Sequence, residues 1–424
     1  MPETSLPKVV VIGAGFGGLA AAKKLAKTPV EITIIDKRNH HLFQPLLYQV
    51  ATAGLSPADV AWPIRHMFAQ DRNVSVVLGD VSDIDREARE VVTGHGRYPY
   101  DYLIVATGAR HSYFGRDEWE PHAPGLKRII DATEIRKRVL LGFERAETAE
   151  TEEERQRYLT FIIIGGGPTG VEMAGAIAEL ANHALSRDFR AIDPSRARVM
   201  LIDAGDRVLR GFSEKLSGYA QSALEKLGVE VVLNHRVVID GEKGVELDGK
   251  AIPCATMIWA AGVAVPRVGK WFGVETDRTG RVPVEPDLSL PGDPNVFIIG
   301  DAAKVPWGED IVPGIAPAAK QGGKYVAQVL SARIKGEAAP KPFVYRHQGN
   351  LATIGRHSAV VDLGWMRLTG GLAWWLWGIA HIYFLIGVRA PLIVATQWFW
   401  SYLTYGKGAR LITGVMPLFA KSDR

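Results

Sequence analysis

Short, uninterrupted runs of β-branched and apolar residues, each closed by glycines or a carboxylate, recur along the chain. Val9 to Ile12 leads directly into Gly13-Ala14-Gly15-Phe16-Gly17-Gly18 and then the alanine-rich stretch Leu19 to Leu25. A run of this length with no polar alternation predicts a strand buried on both faces, and the small-residue stretch after it predicts a helix. A second strand, Val30 to Ile35, ends at Asp36. The pattern returns with Phe161 to Ile164, Gly165-Gly166-Gly167-Pro168-Thr169-Gly170, a helix opening Val171-Glu172-Met173-Ala174, and a strand Val199 to Ile202 ending at Asp203. Asp101 to Gly108, Met257 to Gly262 and Val296 to Asp301 are three further buried strands that close on small residues. Strands alternating with helices in this order predict an α/β chain with two Rossmann-like domains.

The strand, glycine turn, helix and terminal carboxylate together have a chemical meaning that a glycine motif alone lacks. Gly13 allows the tight turn, Gly15 lets backbone approach a pyrophosphate, and Gly18 lets helix and strand pack closely. Phe16 and Gly17 complete the turn, whose free N–H groups attract phosphate. Asp36, followed by Lys37, stands where a carboxylate grips an adenosine ribose. Gly165, Gly167, Gly170 and Asp203 repeat the arrangement. The alternative for either is a glycine-rich turn in an unrelated α/β domain. Two dinucleotide sites in one chain imply non-covalent FAD in one and a nicotinamide cofactor in the other, since a hydride needs donor and acceptor. Asp203 would repel a 2′-phosphate and Ala204-Gly205 offer no arginine, which favours NADH over NADPH, although Arg207 and Arg210 follow closely. Ala106-Thr107-Gly108, Gly262 and Gly300-Asp301 are strand-end turns of the kind that two-domain flavoprotein reductases return to the flavin.

The hydropathy pattern changes near the C-terminus. From Thr369 to Val388 there is no Lys, Arg, Asp or Glu, and Ala390 to Tyr405 is a second uncharged stretch; both are rich in tryptophan and tyrosine. Twenty such residues could span a bilayer. Gly370, Gly371, Gly378, Gly387 and the scattered tryptophans instead predict amphipathic helices lying in a membrane interface. Arg389, Lys407, Arg410, Lys421 and Arg424 would draw the region to anionic lipid. The alternative is a core or dimer helix. The N-terminal MPETSLPKVVVIG shows no secretory signal, so the expected location is the cytoplasmic membrane face.

Length and composition narrow the classes. At 424 residues, 47% apolar and 23% charged, the chain suits two or three globular domains. A net charge of +4 argues against nucleic acid as a partner. One cysteine, Cys254, excludes a CxxC redox pair and reads as an inert buried residue. Glu144 to Arg157 reads as a solvated helix, and no histidine spacing suggests a metal.

The stretch His41-Leu-Phe-Gln-Pro-Leu-Leu-Tyr-Gln-Val-Ala-Thr-Ala-Gly-Leu-Ser-Pro57 with Trp62-Pro63-Ile64-Arg65, the segment Gly165 to Gly175 and the closing Trp400 to Gly414 resemble the type II NADH:quinone oxidoreductases, single-subunit enzymes that do not pump protons. The resemblance implies an FAD domain over 1–113 and 287–340, an NADH domain over 114–286 interrupting it, and a membrane-attachment region over 341–424. It implies NADH and a membrane quinone as substrates, and a homodimer. Glu172 matches the family glutamate near the nicotinamide and the quinone; a helix-dipole role is the alternative. Ile315 to Gly322 resembles the quinone-site helix, but Pro317 replaces the usual glutamine, leaving Gln321 and Lys320 as the candidate partners. A sulfide:quinone oxidoreductase would need cysteines beside the flavin. A non-enzymatic redox sensor of the apoptosis-inducing-factor type would need no aromatic C-terminus.

Overall fold

The computed structural model describes residues 6–265, 267–385, 389–404, 406 and 408–414. Two compact units are assembled from alternating segments: 1–42, 61–110 and 263–348 in the first, 43–60, 111–262 and 349–424 in the second.

The first unit is built on a six-stranded sheet. Its central strand, Lys8–Ile12, is parallel to Glu31–Asp36 on one side and Tyr102–Val105 on the other, with Val11 opposite Ile34 and Ile104. Val74–Leu78 and Asp293–Ile298 extend the sheet in parallel, and Ser289–Leu290 closes one edge antiparallel. The core on this sheet includes Val10, Ile12, Leu103, Val105, Val296 and Ile298. Helix Phe16–Leu25 follows the central strand and packs against helix Ala316–Lys335. Bare backbone makes both contacts possible. A Cβ on Gly18 would stand 1.9 Å from the Gly13 carbonyl oxygen, and one on Gly323 would stand 2.1 Å from that of Gly17.

The second unit repeats the device on four parallel strands, in the order Val229–Val232, Arg198–Ile202, Thr160–Ile164, Thr256–Trp259. Thr160–Ile164 is buried throughout. Helix Pro168–Glu179 begins with proline in its first turn, where the missing N–H costs nothing. A Cβ on Gly170 would lie 1.8 Å from the Gly165 carbonyl oxygen, the counterpart of Gly18 and Gly13. The same helix packs against strand Asn350–Ile354 of a three-stranded antiparallel sheet. That sheet leads into helices Gly370–Phe384 and Arg389–Thr404.

Among the described residues no helix is long and apolar enough to cross a membrane. The basic flank expected of this region lies partly outside them, at Lys407, Lys421 and Arg424. Arg410 is described, and it pairs with Asp188 and the Ala184 carbonyl. Cys254 is a buried free thiol, pushed up to about 12 by burial. The charged stretch 144–157 covers the end of helix Ile129–Glu147 and most of helix Glu152–Tyr158. It is more than a solvated face: the Glu147 carboxylate accepts the backbone N–H groups of Arg190, Ala191 and Ile192.

Crowding at the glycine turns gives a stability test. Gly170→Ala should destabilise the chain by about 1–3 kcal/mol or more through overpacking against backbone. Gly218→Ala, on an exposed helical position with open space around its Cβ, should stabilise by about 0.5–1 kcal/mol. Denaturant unfolding of the two variants beside the parent checks both signs.

Candidate active site

Each glycine turn is held by the carboxylate at the end of the neighbouring strand. In the first unit the Ala14 N–H donates to Asp36 Oδ2 (2.7 Å) and the Arg38 N–H to Oδ1 (2.8 Å). In the second the Gly166 N–H donates to Asp203 Oδ2 (2.5 Å) and the Gly205 N–H to Oδ1 (2.6 Å). Gly13 (φ +96°) and Gly165 (φ +116°) make the left-handed bend that begins each turn. Space is open where a Cβ would stand on Gly15 and on Gly167, as a backbone cradle for a diphosphate requires. Arg210 lies 4.0 Å from Asp203 and 3.4 Å from Asp206, so this arginine is already beside carboxylates.

The first turn carries a further sign of a missing partner. His41 is buried, and its Nδ1 lies 2.8 Å from the Ala14 carbonyl oxygen, so Nδ1 carries the proton and donates. Burial, against the backbone bond and with nearby Lys320, Lys23 and Arg38, pushes the ring down to about 4 and keeps it neutral. Nε2 is therefore a bare acceptor, buried with no hydrogen-bond partner among the described residues. The ring meets Phe16 edge-on (centroids 5.0 Å), and Lys320 Nζ lies over the Phe16 ring at 5.3 Å. A dinucleotide suits this wall: hydroxyls for Nε2, phosphates for the turn, positive charge from Lys320. Lys37 is exposed beside Asp36, Ala106 lines the turn against Gly13, and Asp301 lies against Gly314 near the start of helix Ala316–Lys335.

Glu172 belongs to another setting. It opens onto a pocket of about 80 Å³ within the second unit, with Tyr48, Gln49, Glu179, Arg356 and the tryptophans 374, 377 and 398 among its walls. Desolvation raises the Glu172 carboxyl to about 8, opposed by a backbone hydrogen bond at Thr353. Glu179, two helical turns on, faces the same pocket and accepts the Arg356 N–H at 2.7 Å. The Arg356 guanidinium donates to the carbonyls of Ser401 (2.7 Å) and Tyr402 (2.8 Å), tying the second C-terminal helix to the pocket wall. Trp377 and Trp398 stack (centroids 5.2 Å, 26°), and His381, brought down to about 4 by burial, hydrogen-bonds the Trp377 carbonyl.

The aromatic C-terminal run thus divides. Trp377 is 1% exposed and Trp398 only partly exposed, whereas Trp375, Tyr383, Phe399 and Trp400 face outward at 55–80%. The sequence pattern assigned all of them to an interface; the inner ones build the pocket. Gln321 is also engaged: its amide donates to the Arg346 carbonyl and accepts the Arg346 N–H, both at 2.9 Å. Gly262, exposed at a strand end, leaves no room for a Cβ beside Phe114. Glu179 and Arg356 were not singled out from sequence. The seven-residue spacing from Glu172 places Glu179 on the same helix face and was the available signal.

Residues 7–323 match the family described as pyridine nucleotide-disulphide oxidoreductase, and 347–405 match the NDH2 C-terminal domain. The chain is 46% identical to the type II NADH:quinone oxidoreductase NdhA of Mycobacterium tuberculosis, over 96% of this chain and 90% of the relative. The structure of NDH2 from Plasmodium falciparum in complex with NADH superimposes with a TM-score of 0.86 at 21% identity, covering 96% of this chain and 100% of that one. The sulfide:quinone oxidoreductase of Aquifex aeolicus is more distant, with a TM-score of 0.72 at 19% identity over 92% of each chain.

The raised Glu172 carboxyl makes stability depend on pH. The neutral form is favoured in the folded chain, so its contribution is complete below about 4.5 and is lost as the pH rises through about 8. Glu172→Gln should therefore melt increasingly above the parent from pH 4.5 to 8, with no such gain at lower pH. Thermal melts across that range check the direction.

Proposed function

Because the chain belongs to the type II NADH:quinone oxidoreductases, oxidising NADH and reducing quinone, we propose how its two units share that reaction. FAD, held without a covalent bond, occupies the first unit: the Gly13–Gly18 turn takes its diphosphate, Asp36 its ribose, and Lys320 provides compensating charge. When bound there, FAD supplies the two-electron chemistry that joins a hydride donor to a quinone. Ala106, Thr107, Gly108 and Asp301 complete its surroundings. NADH uses the Gly165–Gly170 turn of the second unit, with Asp203 at its ribose and Gly262 at the strand end beyond.

The observation that carries the quinone side is the pocket itself. It combines a carboxyl held neutral at pH 7 with an aromatic wall made by the C-terminal helices. An apolar, planar ring fits such a wall, and a reduced quinone oxygen needs a proton. Glu172 holds that proton and releases it toward the pocket; Glu179 and Arg356 keep the wall in place. Gln321, with both ends of its amide spent on Arg346, holds the backbone there and leaves direct contact with substrate to other groups.

The outward aromatic face of the two C-terminal helices attaches the enzyme to the cytoplasmic face of a membrane without crossing it. A quinone with an apolar tail reaches the pocket from that side, and two copies pair as a homodimer. By role, the chain divides into an FAD part in the first unit, an NADH part in the second and an attachment part at its C-terminal end.

Two measurements test this division. In stopped flow, Glu172→Gln should retain bound flavin and its bleaching by NADH, yet re-oxidise with a quinone analogue at least tenfold more slowly; re-oxidation at the parent rate would remove Glu172 from the reaction. NADPH should bleach the flavin more slowly than NADH. In a vesicle-sedimentation assay with anionic lipid, Trp375→Glu or Phe399→Glu should weaken binding roughly tenfold or more, the cost of losing one buried aromatic.

A further inference from the structure

The hydrogen bonds at the pocket wall run in one direction only. An indole N–H can donate and cannot accept, so the 2.7 Å bond from Trp398 Nε1 requires the Gln49 amide oxygen at that end. The amide nitrogen then faces Tyr48 and donates to its Oη at 2.9 Å. Tyr48 Oη is the acceptor in that bond, which leaves its own hydrogen for another partner, and no acceptor for it is found among the described residues. Burial keeps the phenol protonated, holding it well above its ordinary range. A second donor lines the same pocket: the Trp377 indole N–H is buried without a partner among the described residues, on a side chain 1% exposed. An unsatisfied buried donor is costly and marks a place where a ligand acceptor is missing.

We propose that Tyr48 Oη–H and Trp377 Nε1–H donate to the carbonyl oxygens of the quinone, and that Trp398, through Gln49, fixes the direction of the Tyr48 hydroxyl. The inference rests on the pocket being the quinone site. It assigns the ligand class from polarity: the wall offers two donors to a flat apolar molecule whose only polar atoms accept. It also gives the C-terminal helix a part in the chemistry, because Trp398 is at once a wall of the pocket and the origin of the chain that orients Tyr48. Tyr48 and Trp377 contact substrate in this assignment; Gln49 and Trp398 are positioning residues.

Gln49→Glu separates this role from simple packing. A carboxylate of nearly the same shape still accepts from Trp398 but can no longer donate to Tyr48, so the hydroxyl turns toward it and away from the pocket. Gln49→Leu breaks the packing chain more severely yet leaves the hydroxyl free to find a ligand. Full-length holoenzyme is assayed with short-chain ubiquinone and menaquinone analogues, and flavin bleaching by NADH is followed separately. Tyr48→Phe and Gln49→Glu should each raise the quinone KM roughly three- to tenfold, the loss of one hydrogen bond, with NADH-driven bleaching unchanged. Trp377→Phe should act in the same direction, and Gln49→Leu less strongly than Gln49→Glu. In a double-mutant comparison, Gln49→Glu should add nothing in the Tyr48→Phe background. Ser401→Trp, which fills the pocket from the C-terminal helix, tests the reading beneath. If it raises the quinone KM while Tyr48→Phe and Gln49→Glu do not, the donor assignment is wrong and the pocket stands. If none of the three alters quinone kinetics, the pocket is not the quinone site and the proposal falls with it.

Discussion

The fold depends on how closely a helix can approach the strand that precedes it. At Gly18 and at Gly170 the space for a Cβ is taken by the carbonyl oxygen of the turn's first glycine, 1.9 and 1.8 Å from where the atom would stand. Any side chain there would push the helix away and displace the free N–H groups at its start. The strand-end carboxylates Asp36 and Asp203 act on the same turns, each accepting one N–H from the turn and one from the strand's continuation. Close packing and a fixed carboxylate thus shape both glycine turns, leaving the surrounding side chains free to specialise.

Specialisation is visible in how the two units treat ionisable groups. Around the first turn, His41 is neutral with an unused acceptor and Lys320 lies over an aromatic face. In the second unit, Glu172 is neutral because its surroundings are dry, and the nearest polar chain, Trp398 to Gln49 to Tyr48, supplies donors. A donor-lined, apolar-walled pocket suits an acceptor of electrons that is also an acceptor of hydrogen bonds. The thiol chemistry of a sulfide:quinone enzyme has no equivalent, since the single cysteine is buried in the core of the second unit with its thiol raised to about 12.

The C-terminal helices carry both the inner wall of this pocket and an exposed aromatic face. Their tryptophans divide by face, and that division lets one short segment serve as both pocket wall and apolar outer surface. Arg356 makes the arrangement rigid by donating to two carbonyls at the far end of the second helix. The pocket wall and the outward aromatic surface then depend on the same two helices.

Much of this was legible in the chain itself, because the signals are local. Continuous β-branched runs, glycine spacing and a terminal carboxylate depend on a few adjacent residues, so the strands, both turns and the positions of Asp36, Asp203 and Glu172 follow from the letters in order. The pocket does not. Tyr48, Glu172, Gln49, Arg356 and Trp398 come from four separated segments, and only tertiary packing brings them together. Hydropathy likewise shows that residues 369–405 are apolar and aromatic but not which faces turn inward, since that is decided by the surface each helix meets. The direction of the hydrogen-bond chain from Trp398, and the occupation of Gln321 by Arg346, are also facts of contact: a side chain's polarity can be read from its letter, but its partner is chosen by the fold.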